Sequence, residues 1–134
     1  MQKTDIQIRF SDMDMLGHVN NVAYGYYFDI ARVKCLEQIL GKIDWKEGQI
    51  LALVRTETDF KQSVYFDDEI EIQSSITNVG NRSIKMHQAL VDKKGNVKAE
   101  SRSVLSTFNT KTNESFPLSE EWKQKFNANK RTDL

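Results

Sequence analysis

The chain has 134 residues, 39% hydrophobic and 28% charged, which is enough apolar material for one core. Nineteen Lys and Arg balance nineteen Asp and Glu, so the basic excess that nucleic-acid binding normally requires is missing. No apolar run approaches the roughly 20 residues of a membrane span, and the opening residues lack the apolar core of a signal peptide. A lone cysteine, Cys35, excludes an internal disulfide. These features lead us to expect a cytoplasmic protein.

Ile6, Ile8 and Phe10 alternate with Gln7 and Arg9, which predicts a half-buried first strand. From Asn21 the period changes. Ala23, Tyr26, Ile30, Val33, Leu36 and Leu40 fall on one helical stripe, and Gly41 stands where a left-handed C-terminal cap belongs. Leu51 to Phe60 predicts a strand with Val54, Thr56, Thr58 and Phe60 on one face. Ile70, Ile72 and Ile76 alternate with polar residues, and Gly80-Asn81 marks a turn. Ser83 to Asp92 and Val97 to Phe108 predict two further strands around a hairpin loop, Lys93 to Asn96. The expected fold is α+β, one long helix on a largely antiparallel sheet. It forms a single domain over 1–126, and the polar tail 127–134 is expected to fray.

Chemistry concentrates between the first strand and the helix. Asp12, Asp14, Gly17, His18, Asn20 and Asn21 lie within ten residues that end at a helix N-terminus. Unpaired N–H groups and the helix dipole favour negative charge there. A carboxylate beside such donors suits acyl transfer, in which one group attacks or activates water and the other holds the oxyanion.

The run D-M-D-M-L-G-H-V-N-N-V-A-Y, with a helix ending in A-R, resembles the signature of the 4-hydroxybenzoyl-CoA thioesterase family of hotdog-fold proteins. R-T-E-T-D-F, D-D-E-I, N-V-G-N-R-S and F-P-L extend the likeness from about Thr4 to Leu118. The resemblance implies a hotdog fold, one long helix wrapped by a curved five-stranded sheet. It also implies an acyl-CoA thioesterase, with coenzyme A as part of the substrate and no retained cofactor or metal. By position Asp14 falls on the family's catalytic carboxylate and Asp12 on its neighbour. The N–H groups around Asn20, Asn21 and Val22 fall on the oxyanion-binding helix start. The G-H-V-N-N form also resembles plant acyl-carrier thioesterases, where an asparagine and a histidine assist the aspartate. Here His18 matches the histidine, and Leu16 replaces the asparagine.

Around this centre Tyr24 and Tyr27 are candidates for an acyl-pocket wall, and Arg82 and Ser83 for guiding the pantetheine and phosphates of coenzyme A. His18 either assists the chemistry or ties down the loop. Asp29 is the alternative carboxylate, taken from the helix as in other hotdog branches. Cys35 reads as a buried thiol and His87 as a plain strand residue. A homodimer or homotetramer is expected, because an unpaired edge strand invites pairing. Leu51 to Phe60 is the candidate edge, placing Thr58 and Phe60 near the partner's Asp14 loop. A non-catalytic acyl-thioester binding module and a hotdog dehydratase or hydratase are the rival readings, and the carrier is coenzyme A or acyl carrier protein.

Overall fold

The computed structural model describes residues 1–44 and 48–134. Strand β1 (Gln2–Ile6) leads through a 3-10 turn, Phe10–Asp12, to helix α1 (Asn21–Leu40). Strands β2 (Gln49–Phe60), β3 (Ile70–Val79), β4 (Ser83–Asp92) and β5 (Val97–Asn109) follow, then helix α2 (Glu120–Ala128). The five strands form one antiparallel sheet in the order β1-β3-β4-β5-β2, which leaves β1 and β2 as edges. The expected α+β hotdog architecture is present, with a second helix in addition. Among the described residues no helix is long and apolar enough to cross a membrane.

Local chemistry accounts for the boundaries. β1 stops at Ile6 rather than running on to Phe10, because Asp12 accepts the Arg9 N–H at 2.9 Å and bends the chain into a turn. Phe10 is left exposed on that turn. Asn20 caps α1 by accepting the Val22 N–H, and Gly41 ends it at φ 86°, a conformation that suits glycine. Helix α2 begins at Ser119, whose hydroxyl accepts the Trp122 N–H, and carries Glu120 and Glu121 in its first turn. Its Phe126 is fully buried beside Cys35 and Leu36. Beyond α2 the Arg131 N–H donates to the Ile76 carbonyl at 2.8 Å.

The stripe of α1 that is buried matches the expected one at Ala23 and Leu36 and departs from it elsewhere. Tyr24, Tyr27, Phe28, Ala31 and Cys35 are buried, whereas Tyr26 and Ile30 are 58% and 47% exposed. Both flanks of this helix are apolar, so periodicity alone does not choose between them. The small Ala31 and Cys35 lie on the buried flank, where small side chains let a helix pack closely.

The concave face of the sheet divides its core in two. Ile72, Leu90 and Ala99 belong to one apolar cluster and Ile76, Met86 and Leu105 to another. Between them runs a polar row in which Ser74 pairs with Gln88, Gln88 with Ser101 and Ser101 with Thr58. Gln88 is fully buried and donates to Ser74 Oγ and to the Phe28 carbonyl, both at 3.1 Å, and it accepts from Arg32 at 3.3 Å. This satisfaction is what makes a buried amide tolerable.

Candidate active site

The segment between the 3-10 turn and α1 is a tight polar hairpin. The Asp14 N–H donates to the His18 carbonyl at 3.0 Å, and Gly17, at φ 85°, makes the reversal. The Val19 N–H then donates to the Val64 carbonyl at 2.8 Å, which ties the hairpin to the β2–β3 connection. Asp14 Oδ1 accepts the Leu16 N–H at 2.9 Å, and Oδ2 lies 3.7 Å from His18 Nδ1. Both side chains are about one quarter exposed (28% for His18, 26% for Asp14), so solvent reaches this pair.

Asp12, two residues earlier, is built differently. Its carboxylate is buried and accepts from the Tyr27 hydroxyl at 2.6 Å, the Arg9 N–H and the Arg9 guanidinium. Burial by itself raises this carboxyl, and those donors more than offset it, holding it below the usual aspartate range. Asp12 therefore braces the hairpin. The partnership engages the hydroxyl of Tyr27, a candidate for the acyl wall. Burial and the Asp12 charge push its hydroxyl pKa well up, and it faces the β1 side of α1.

A recess of about 160 Å³ opens beside the Asp14–His18 pair, lined by His18, Asn21, Tyr24, Phe60, Lys61 and Gln62 among others. The structure thus brings together four of the expected residues: His18, Asn21, Tyr24 and Phe60. Tyr24 packs edge-on against Phe60 with ring centroids 5.1 Å apart, and the Val64 N–H bonds its hydroxyl. Lys61 and Gln62 were not singled out from the sequence. The one available signal was the break of strand pattern in D-F-K-Q-S. Lys61 is anchored through Nζ to Glu100 Oε2 at 2.6 Å, and the other Glu100 oxygen meets His87 Nε2 at 2.8 Å. Lys61, then His87, pull the Glu100 carboxyl down to about 2.

The first turn of α1 is more engaged than expected. The Asn20 N–H donates to the Asp12 carbonyl, the Val22 N–H to the Asn20 side chain, and the Ala23 N–H to the Asn20 carbonyl. Among the described residues that leaves the Asn21 N–H as the one first-turn donor without a protein acceptor, and Asn21 lines the recess.

Three expected residues lie elsewhere. Thr58 is on the concave face of β2, where its hydroxyl bonds Ser101 Oγ at 3.2 Å. Arg82 and Ser83 sit at the other end of the sheet. Ser83 pairs with Ser106 of β5 and Phe60 with Ala99, positions seven residues apart. At roughly 3.3 Å per strand residue that is ~23 Å, so they do not reach the recess of their own chain. Asp29 is engaged by the Arg32 guanidinium. Cys35 is buried, and burial pushes its thiol up to about 11, which makes it a core residue. Among the described residues no group of three or more His, Cys, Asp or Glu is arranged to hold a metal.

Comparison with known proteins bears on the family and the fold. A family model described as the thioesterase-like superfamily matches residues 8–126. The uncharacterized protein YsmA of Bacillus subtilis (strain 168) is 27% identical over 82 residues, 61% of this chain. The match covers 55% of that relative's length, little more than half. Among solved structures, a thioesterase complexed with coenzyme A and zinc from Thermus thermophilus is 26% identical, with a TM-score of 0.81. The alignment covers 94% of this chain and 91% of that one. A protein described as a predicted thioesterase from Bacillus stearothermophilus is 23% identical with a TM-score of 0.88, over 98% of each chain, and shows the shared fold.

Proposed function

The chain belongs to the thioesterase-like superfamily, and from that premise we propose that it hydrolyses an acyl-CoA or acyl-carrier thioester to a free acid and a thiol. One observation carries the reading. Asp14 Oδ2 lies 3.7 Å from Nδ1 of His18, and His18 and Asn21, whose N–H is unengaged, line one recess. A carboxylate, an imidazole and an N–H at a helix start are the parts acyl transfer needs.

In this reading Asp14 attacks the thioester carbonyl or takes a proton from the attacking water. The oxyanion forms at the Asn21 N–H, assisted by the positive end of α1. His18 orients water or protonates the departing sulfur. Tyr24 and Phe60 wall the acyl side, and Lys61 lines the recess while its ammonium is held by Glu100. Coenzyme A enters as substrate and no cofactor is retained. The D-M-D-M-L-G-H-V-N-N run supports the 4-hydroxybenzoyl-CoA branch within the superfamily, and a cytoplasmic setting fits a coenzyme A ester.

The active unit in this proposal is a dimer or tetramer. β2 is an unpaired edge that exposes Leu53, Val54 and Phe60, a combination monomeric proteins avoid. Two-fold pairing of β2 with its copy runs the strands antiparallel. The Gln49 end of one protomer then lies toward the Phe60 end of the other. Such pairing carries the partner's Arg82–Ser83 end of the sheet toward this recess.

The test is a screen of short, medium, long and aromatic acyl-CoA and acyl-carrier thioesters with detection of free thiol. Release above the uncatalysed rate supports the proposal. No release from any member moves the protein to the binding-module reading.

A further inference from the structure

Met86 of β4 and Leu105 of β5 belong to the core cluster that holds Cys35 and Leu36 of α1. Lys85, His87, Arg102 and Val104 occupy the alternate positions of the same strands, so they lie on the outer face of the sheet. That face holds a cavity of about 410 Å³, lined by Arg55, Glu57, Lys85, His87, Arg102 and Val104 among others. The volume is in the range of small-molecule sites. Two bulges border it. Val54 is an extra residue of β2 against β5, and Thr77 is one of β3 against β4. Both abut the same row across the sheet, Asn78, Lys85, Val104 and Arg55. A bulge bends its strand and sharpens the local twist, and bulges recur beside functional sites.

The charge in this cavity is lopsided. Val104 stands directly opposite Lys85 on β4 and Arg55 on β2, and Arg102 precedes it by two on its own strand. Three cations thus surround one half-buried apolar residue, with Cα atoms about 5–7 Å from its own, in a chain of zero net charge. Glu57 stands opposite Arg102, but its carboxylate is taken by Arg55. Glu100 also borders the cavity and is already held by Lys61 and His87. Lys85 has no ion-pair partner among the described residues, and Arg102 has only an exposed contact with Asp59 at 3.6 Å. Cations packed this closely repel one another unless an anion joins them.

We propose that this cavity is a second ligand site, on the face of the sheet opposite α1, that takes a phosphate dianion, free or as a monoester. Lys85 and Arg102 bind it directly, Arg102 through its planar fork, and Arg55 adds positive charge from the β2 side. Val104 supplies an apolar floor for the group that a monoester carries.

The test is calorimetric titration of inorganic phosphate, adenosine monophosphate and adenosine at matched ionic strength. The proteins are wild type, Lys85→Gln, Arg102→Gln and, as a control on α1, Lys34→Gln. Wild type and Lys34→Gln are expected to match each other in binding phosphate and adenosine monophosphate, and neither to bind adenosine. Lys85→Gln and Arg102→Gln are each expected to weaken binding about tenfold, the loss of one charge-assisted contact. Both side chains are exposed, so circular dichroism of the variants should match wild type. Tighter binding of adenosine monophosphate than of phosphate assigns the site to a monoester, and any other order assigns it to the free ion. No binding by wild type, equal binding of adenosine and its monophosphate, or Lys85→Gln and Arg102→Gln proteins that bind like wild type overturn the inference. So does a Lys85→Glu protein smaller than wild type by light scattering, which would give this face to a second copy of the chain.

Discussion

The Tyr27 hydroxyl donates to Asp12 Oδ2 at 2.6 Å between two buried side chains, one in the first turns of α1 and the other in the turn before it. The bond fixes the start of the helix against the hairpin that presents Asp14. Tyr27→Phe leaves a charged acceptor one donor short in a dry setting, which typically costs about 1–3 kcal/mol. We expect that loss in urea unfolding, together with a smaller fall in kcat than Asp14 variants show. A Tyr27→Phe protein as stable as wild type would separate this bond from the hairpin's support.

Asp14→Asn is close to isosteric and keeps an oxygen to accept the Leu16 N–H. Circular dichroism should therefore be unchanged. Removing the negative charge removes the nucleophile or base, typically a loss on the order of a hundredfold or more in kcat. Asp12→Asn should act mainly on stability. More than about a tenth of wild-type kcat in Asp14→Asn, against that hundredfold, would turn attention to Asp29.

Glu100 supplies a pH signature. Its folded pKa of about 2 lies below the ~4.3 of an unfolded glutamate. The folded state therefore prefers the ionised form. Its contribution is fully present above pH ~4.3 and is lost as the pH falls through about 2. Glu100→Gln should be less stable than wild type near neutrality, and the gap should close between about pH 5 and pH 2. A gap independent of pH in acid denaturation would show that the Lys61 and His87 contacts do not hold this carboxylate.

β2 tests the shared site. Val54→Asp puts a charge on the exposed edge and should yield a monomer by light scattering. Thioester hydrolysis should fall with it. Arg82→Ala should raise KM more than it lowers kcat, the pattern of a contact made equally in ground and transition states. A monomer at full rate, or an unchanged KM in Arg82→Ala, would confine the site to one protomer.

The motif from Asp12 to Asn21, the extent of α1 with its Gly41 cap, and four of the five strands were legible along the chain. Each depends on neighbours within a few residues, through capping, turn chemistry or alternation. Helix α2 was not, because its burial rests on Phe126 and Trp122 finding the end of another helix. Which flank of α1 is buried, the pairing of Tyr27 with Asp12, the ~23 Å that separates Arg82 from Phe60, and the entry of Lys61 into the recess were decided by tertiary structure. α1 offers apolar residues on both flanks, and Asp12 and Asp14 look alike in a row of letters. The buried flank carries the small Ala31 and Cys35 beside Tyr24, Tyr27 and Phe28. That choice buries one aspartate against a tyrosine and leaves the other beside His18, about one quarter exposed to solvent.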